Sequence, residues 1–132
     1  MNIEKVKARR IYKGDKVEPQ ALALLQDEFP DEHKTTSIEY FEWFVIAEYE
    51  GEVVGIITVQ KYLPKKPILT DCVVVEKYRG HMVLFVIYEC VLTHLKEEGY
   101  ESLIGYTEMN NRGTVKTFMR TGTGKQPMYA IA

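Results

Sequence analysis

Arg79-Gly80 separates two runs of different character. Before it lies Asp71-Cys72-Val73-Val74-Val75, β-branched at its centre, and after it an apolar stretch from Met82 to Leu95. A strand that feeds a helix through so short a turn leaves the first helical amides without intrahelical partners, with the positive end of the helix dipole behind them. Such a turn suits an anion, and Arg79 beside it makes a diphosphate the natural guest. Strand-turn-helix units that bind nothing have the same outline, and this turn is poor in glycine, so the pattern by itself leaves both readings open. His33 is a second candidate for chemistry, because its reference pKa near neutrality suits a general base. It lies in the polar segment from Asp31 to Thr36, where no neighbour in sequence supplies a partner to orient it and a solvated loop is the competing reading.

The elements that must hold the turn are legible on either side. Val73 to Val75 suits a central strand covered on both faces. Leu84, Tyr88, Val91 and Leu95 fall at helical spacing, and Val83, Val86, Ile87 and Cys90 fill the adjoining face, so the helix should be largely covered. Gly99 stands where a left-handed residue would close it. Upstream, residues 1–15 read as an edge strand dense in charge, and Pro19 opens a helix whose stripe is Ala21, Leu22, Leu24, Leu25 and Phe29 and which Pro30 stops. Ser37 suits the N-cap of a short helix running through Glu42. Trp43 to Tyr49 and Glu52 to Tyr62 flank Glu50-Gly51 as a hairpin, with Phe44, Ile46, Val54, Ile56 and Thr58 marking its faces and Gly55 a bulge or a close backbone approach. Downstream come a strand from Ser102 to Glu108, a short helix from Arg112 to Arg120 with Asn111 as its N-cap, a turn at Gly122-Thr123-Gly124 and a last strand from Gln126 to Ala132.

The length of 132 residues predicts one domain, 1–132, and no repeat or linker interrupts it. Seventeen Lys and Arg against nineteen Asp and Glu leave a net charge of −2, which argues against a nucleic-acid partner bound by phosphate neutralisation. Basic residues at Lys65, Lys66, Arg112, Lys116 and Arg120 do not reverse that balance. Cys72 and Cys90 are the two cysteines, read as buried thiols of a reducing, cytoplasmic compartment, and no spacing suggests a metal site. No signal-peptide pattern and no apolar run of about 20 residues is present, so no membrane partner is expected.

Val75-Glu76-Lys77-Tyr78-Arg79-Gly80-His81-Met82-Val83-Leu84 resembles the acetyl-coenzyme A signature of the GNAT N-acetyltransferases, in which a strand ending in Val leads into RGxGxG or RGxGxA. The order of parts follows the same plan along nearly the whole chain. The family's later pattern, N-x-x-A-x-x-x-Y-x-x-x-G-F, laid on Asn111 gives Thr114, Phe118, Gly122 and Thr123. Met82 and Leu84 replace two small residues of the signature, and Phe118 replaces a tyrosine whose hydroxyl is thought to protonate the leaving thiolate in many members.

The resemblance implies an α/β (α+β mixed) GNAT-like fold, a mostly antiparallel twisted sheet of about six strands flanked by about four helices. It implies an acetyl group carried from acetyl-coenzyme A to a primary amine of a small molecule or protein. The alternative is a GNAT-fold protein without catalysis, serving as a binding or structural module. Acetyl-coenzyme A would lie along Val73, Val74, Val75, Arg79, Gly80, His81, Met82, Val83 and Leu84, with Asn111 and Phe118 from the later helix. A Met or Leu side chain would obstruct the approach that small residues allow. Asp71 is the candidate general base, with Glu76 and Glu108 behind it, and Tyr106 either lines the pantetheine wedge, replaces the missing acid or packs in the core. A backbone N–H near Val74 or Val75 would polarise the thioester. Relatives finish with two strands where this chain has room for one, so the acceptor side is open or is completed by a partner chain such as a second copy.

Overall fold

The computed structural model describes residues 1–29, 43–63, 66–100, 104–108 and 128–131. Strand β1 (Lys7–Ile11) is followed by helix α1 (Glu18–Glu28), strands β2 (Trp43–Tyr49), β3 (Glu52–Leu63) and β4 (Lys66–Val74), helix α2 (Val83–Glu97), and strands β5 (Ile104–Glu108) and β6 (Met128–Ile131). The strands lie side by side in chain order. β1 to β4 pair antiparallel, whereas β4–β5 and β5–β6 pair parallel. The expectation of about four helices is corrected to two α-helices among the described residues, with short 3₁₀ turns at Ile3–Lys5 and Glu76–Tyr78. The short helices read at 37–42 and 112–120 lie outside the described residues.

Local chemistry sets the ends of these elements. Glu50 and Gly51 both have positive φ, 50° and 81°, the signature of the type I′ turn whose twist matches a hairpin. Pro19 occupies the first turn of α1, where its missing N–H costs nothing. At the far end of α2, Gly99 at φ 90° donates to Lys96 O (3.0 Å) and Tyr100 donates to Leu95 O (3.0 Å), a Schellman closure.

Two apolar layers sandwich the sheet. One joins Trp43, Val45, Ala47, Val54, Ile57, Val59 and Leu69 to Val83, Ile87, Tyr88, Val91 and Leu95 of α2. The other joins Phe44, Ile46, Val53, Ile56 and Val73 to Ala21 and Leu25 of α1. Strict alternation along β3 would place Val54 with Ile56, but Ala47 pairs with Gly55 and Glu48 with Val53, so Val54 is the extra residue of a bulge and turns to the α2 face. Gly55 is also a close approach: a Cβ there would lie 2.7 Å from Ile87 Cδ1 and 3.3 Å from Val83 Cγ1. Its bare backbone seats the first two turns of α2.

Candidate functional site

The sheet opens between β4 and β5. Among the described residues their register sets Ile68 against Ile104 and Leu69 against Gly105, after which β4 continues along β3 and β5 along β6. Strands that part after Leu69 and Gly105 leave one flank of β4, from Asp71 to Val74, facing a wedge with no ladder partner among the described residues. Val75 N–H donates to Val54 O (2.9 Å). Alternation along a strand therefore sends the amides of Val73 and Val75 toward β3 and those of Cys72 and Val74 into the wedge. Of the two amides expected to polarise a thioester, Val74 faces the opening. Val75 is committed to β3, which corrects that half of the expectation.

At the end of β4 the chain makes a 3₁₀ turn and enters α2. The Tyr78 ring packs edge-on against Tyr49 at 5.7 Å, tying the turn to β2. Arg79 Nε donates to Val74 O (2.9 Å), and its Nη2 lies 3.5 Å from Glu28 Oε2 at the end of α1. The Arg79 side chain thus braces the turn against β4 and α1. Gly80 (φ 83°), His81 and Met82 are exposed, and a Cβ on Gly80 would meet open space. Met82 is the N-cap of α2 in the left-handed region (φ 67°, ψ 18°), without a side-chain cap, and the first bond of the helix runs from Val86 N–H to Met82 O (3.2 Å). The amides of residues 83–85 precede that bond and sit at the positive end of a fifteen-residue helix.

The two side chains that replace small residues of the signature lie differently. Met82 is 45% exposed, and Leu84 packs against the α2 core layer. What the signature glycine supplies at position 82 is left-handed backbone freedom, which a methionine adopts at a cost of about 1–2 kcal/mol.

A second bulge shapes β4. Thr58 pairs with Asp71 and Val59 with Leu69, leaving Thr70 as the extra residue. Leu69, Cys72 and Val74 consequently pack on the α2 layer although 69 and 72 are an odd number of residues apart, while Asp71 falls in step with Val73 on the α1 face. At the bulge Asp71 N–H donates to Thr58 Oγ1 (3.0 Å), and the hydroxyls of Thr58 and Thr70 lie 2.6 Å apart. Thr58 is fully buried, and two residues along the same strand Gln60 is 4% exposed with its Oε1 unpartnered. The sequence reading placed Thr58 only as the marker of a hairpin face and did not single out Thr70. The signal at Thr58 was a hydroxyl at an inward position of β3, among Val54, Ile56, Ile57 and Val59.

Other groups divide clearly. Burial pushes the Cys72 thiol up to about 12, with the Asp71 carboxylate adding to the effect, and Cys90 shifts upward for the same first reason, so neither is a ready nucleophile. Glu76 is exposed in the 3₁₀ turn beyond β4. Tyr106 and Glu108 lie on β5, paired through their backbones with Tyr129 and Ile131, on the far arm of the wedge. His33, Asn111 and Phe118 lie outside the described residues. No cluster of metal-ligating side chains occurs among the described residues. The structure therefore assembles Asp71, the wedge-facing amides and the entry of α2 around the end of β4.

A model of the acetyltransferase (GNAT) family matches residues 9–122. An aminoglycoside acetyltransferase from an uncultured soil metagenomic sample, solved in complex with sisomicin, superposes with a TM-score of 0.72 at 17% identity, covering 98% of this chain and 95% of that one. The ribosomal-protein-S18-alanine N-acetyltransferase of Escherichia coli gives 0.70 at 16% identity, covering 89% and 76%. A GNAT family N-acetyltransferase of Escherichia coli in complex with CoA gives 0.68 at 20% identity, covering 83% and 67%. At these identities the likeness is one of fold. No curated protein matches the sequence.

Proposed function

This chain belongs to the GNAT acetyltransferase family, and from that premise we propose that it transfers an acetyl group from acetyl-coenzyme A to a primary amine of a small molecule or protein. The observation that carries the reading is the parting of β4 and β5 after Leu69 and Gly105, because it opens β4 beside the exposed entry of α2.

The residues present fit the cosubstrate. The amides of residues 83–85, with the open backbone at Gly80, are arranged for a diphosphate, and the helix dipole favours its charge. The wedge is bordered on one side by the backbone of Cys72 and Val74 and on the other by β5, which suits an extended arm that carries amides of its own. When bound, acetyl-coenzyme A supplies the acetyl group as a thioester. The Val74 N–H donates a hydrogen bond to a carbonyl oxygen held in the wedge, a preorganised dipole that needs no reorientation. The Asp71 carboxylate accepts a proton from the acceptor ammonium, directly or through one water, so that the amine becomes nucleophilic. Tyr106, on the opposite arm, is the candidate for returning a proton to the leaving thiolate, and Glu108 stands behind Asp71 as an alternative base.

Incubation with acetyl-coenzyme A and a panel of amines, read as thiol release and as acetylated product by mass spectrometry, tests this assignment. Product that disappears in Asp71→Asn supports it. Binding of acetyl-coenzyme A with no transfer to any amine favours the family member without catalysis, for which the left-handed methionine at position 82 is the specific argument.

A further inference from the structure

The buried hydroxyl of Thr58 has no part in the chemistry described so far. It is wholly removed from solvent at the centre of β3, and it receives the Asp71 N–H at 3.0 Å where an unbroken ladder would offer a carbonyl. The Thr70 hydroxyl lies 2.6 Å from it and 3.4 Å from Thr58 O, so the extra residue of the bulge is tied to the same threonine. Without the bulge, side-chain alternation would put Leu69 and Asp71 on one face. Either Leu69 would leave the α2 core layer or the Asp71 carboxylate would enter it.

We infer that Thr58 is a positioning residue, whose hydroxyl closes the β4 bulge and thereby aims Asp71 at the acceptor side of the wedge. The inference rests on the proposed transferase reading for its catalytic meaning, and on Thr58, Thr70 and Asp71 alone for its geometry. A valine at position 58 keeps the shape and burial of the side chain but offers no hydroxyl, so both the bond from Asp71 N–H to Thr58 Oγ1 and the Thr58–Thr70 hydroxyl contact are lost. A serine keeps the acceptor. The cofactor cradle at the entry of α2 lies beyond the bulge and should not respond to either change.

The test compares wild type, Thr58→Val and Thr58→Ser in three measurements. Hydrogen exchange of the Asp71 amide, followed by NMR on the free protein, should quicken at least tenfold in Thr58→Val and stay near wild type in Thr58→Ser. Acetyl-coenzyme A affinity by calorimetry should be unchanged in both. The kcat for acetyl transfer to whichever of spermidine, sisomicin or an alanine-ended peptide the wild type accepts should fall at least tenfold in Thr58→Val and recover in Thr58→Ser. Equal Asp71 exchange in wild type and Thr58→Val, or fast exchange in Thr58→Ser, overturns the geometric claim even if Thr58→Val proves too unstable for kinetics. Normal turnover by Thr58→Val overturns its catalytic meaning and leaves the transferase reading standing. A wild type that does not bind acetyl-coenzyme A overturns the transferase reading and with it any catalytic role for Thr58.

Discussion

Gly55 and Ile87 meet so closely that a Cβ on the glycine would stand 2.7 Å from Ile87 Cδ1 and 3.2 Å from Val73 O. The backbone of β3 therefore fixes how near α2 can approach the sheet at the end that opens toward the wedge. Gly55→Ala should cost about 1–3 kcal/mol by overpacking, measured by chemical denaturation, and should weaken acetyl-coenzyme A binding by moving Val83 and the amides beside it. Unchanged stability and affinity would mean that Ile87 has a rotamer able to yield.

Met82 caps α2 in a conformation natural to glycine. Met82→Gly removes the steric penalty but loosens the unfolded chain, so a net gain of about 0.5–1 kcal/mol in unfolding free energy is expected. Acetyl-coenzyme A affinity should rise with it, because an exposed side chain is removed from the mouth of the proposed anion site. Weaker binding in the variant would show that Met82 contacts the cosubstrate productively.

Asp15 is held by Arg9, whose Nη1 and Nη2 approach its two carboxylate oxygens at 2.7 and 3.1 Å, and it accepts Val17 N–H at the start of α1. The Arg9 hydrogen bonds come first among the causes that bring its pKa from 3.8 down to about 2. A carboxylate with a depressed folded pKa stabilises above its unfolded value and loses that contribution as pH falls through its folded one. Asp15→Asn should thus cost about 1 kcal/mol at neutral pH, and the gap to wild type should close between pH 3.8 and about 2 in denaturation curves. A constant gap across that range would assign the loss to geometry rather than charge.

The sequence carried the layout better than the site. The hairpin across Glu50-Gly51 and the closure of α2 at Gly99 are local devices, each written in two or three residues, and both stand where the reading placed them. Gly55 marked a bulge or a close approach in β3, but the residue that bulges was not legible, and the β4 bulge was not read at all, because alternation was assumed unbroken. Val54 was set with Ile56, and nothing in the residue types marks Thr70 as the unpaired position. The same gap concealed which amide faces the wedge, since Val74 and Val75 are equivalent as residue types and differ only in which flank of β4 their N–H groups take. Met82 read as the first residue of a helical stretch, whereas its backbone turns left-handed to begin one.

The central claim is that the entry of α2 holds the diphosphate of acetyl-coenzyme A. Calorimetric titration with acetyl-coenzyme A, set against S-acetyl-pantetheine, which lacks the diphosphate and the 3′-phosphoadenosine, and against S-acetyl-4′-phosphopantetheine, which regains one phosphate without the nucleoside, tests it most directly. The account predicts saturable binding of the whole molecule, a thermal stabilisation near 2.7 kcal/mol at about one hundred times its Kd, little or no binding of the pantetheine fragment, and binding regained in part by its phosphorylated form. Equal affinities for acetyl-coenzyme A and S-acetyl-pantetheine, no gain from the added phosphate, or no heat and no stabilisation with acetyl-coenzyme A at millimolar concentration, would contradict it.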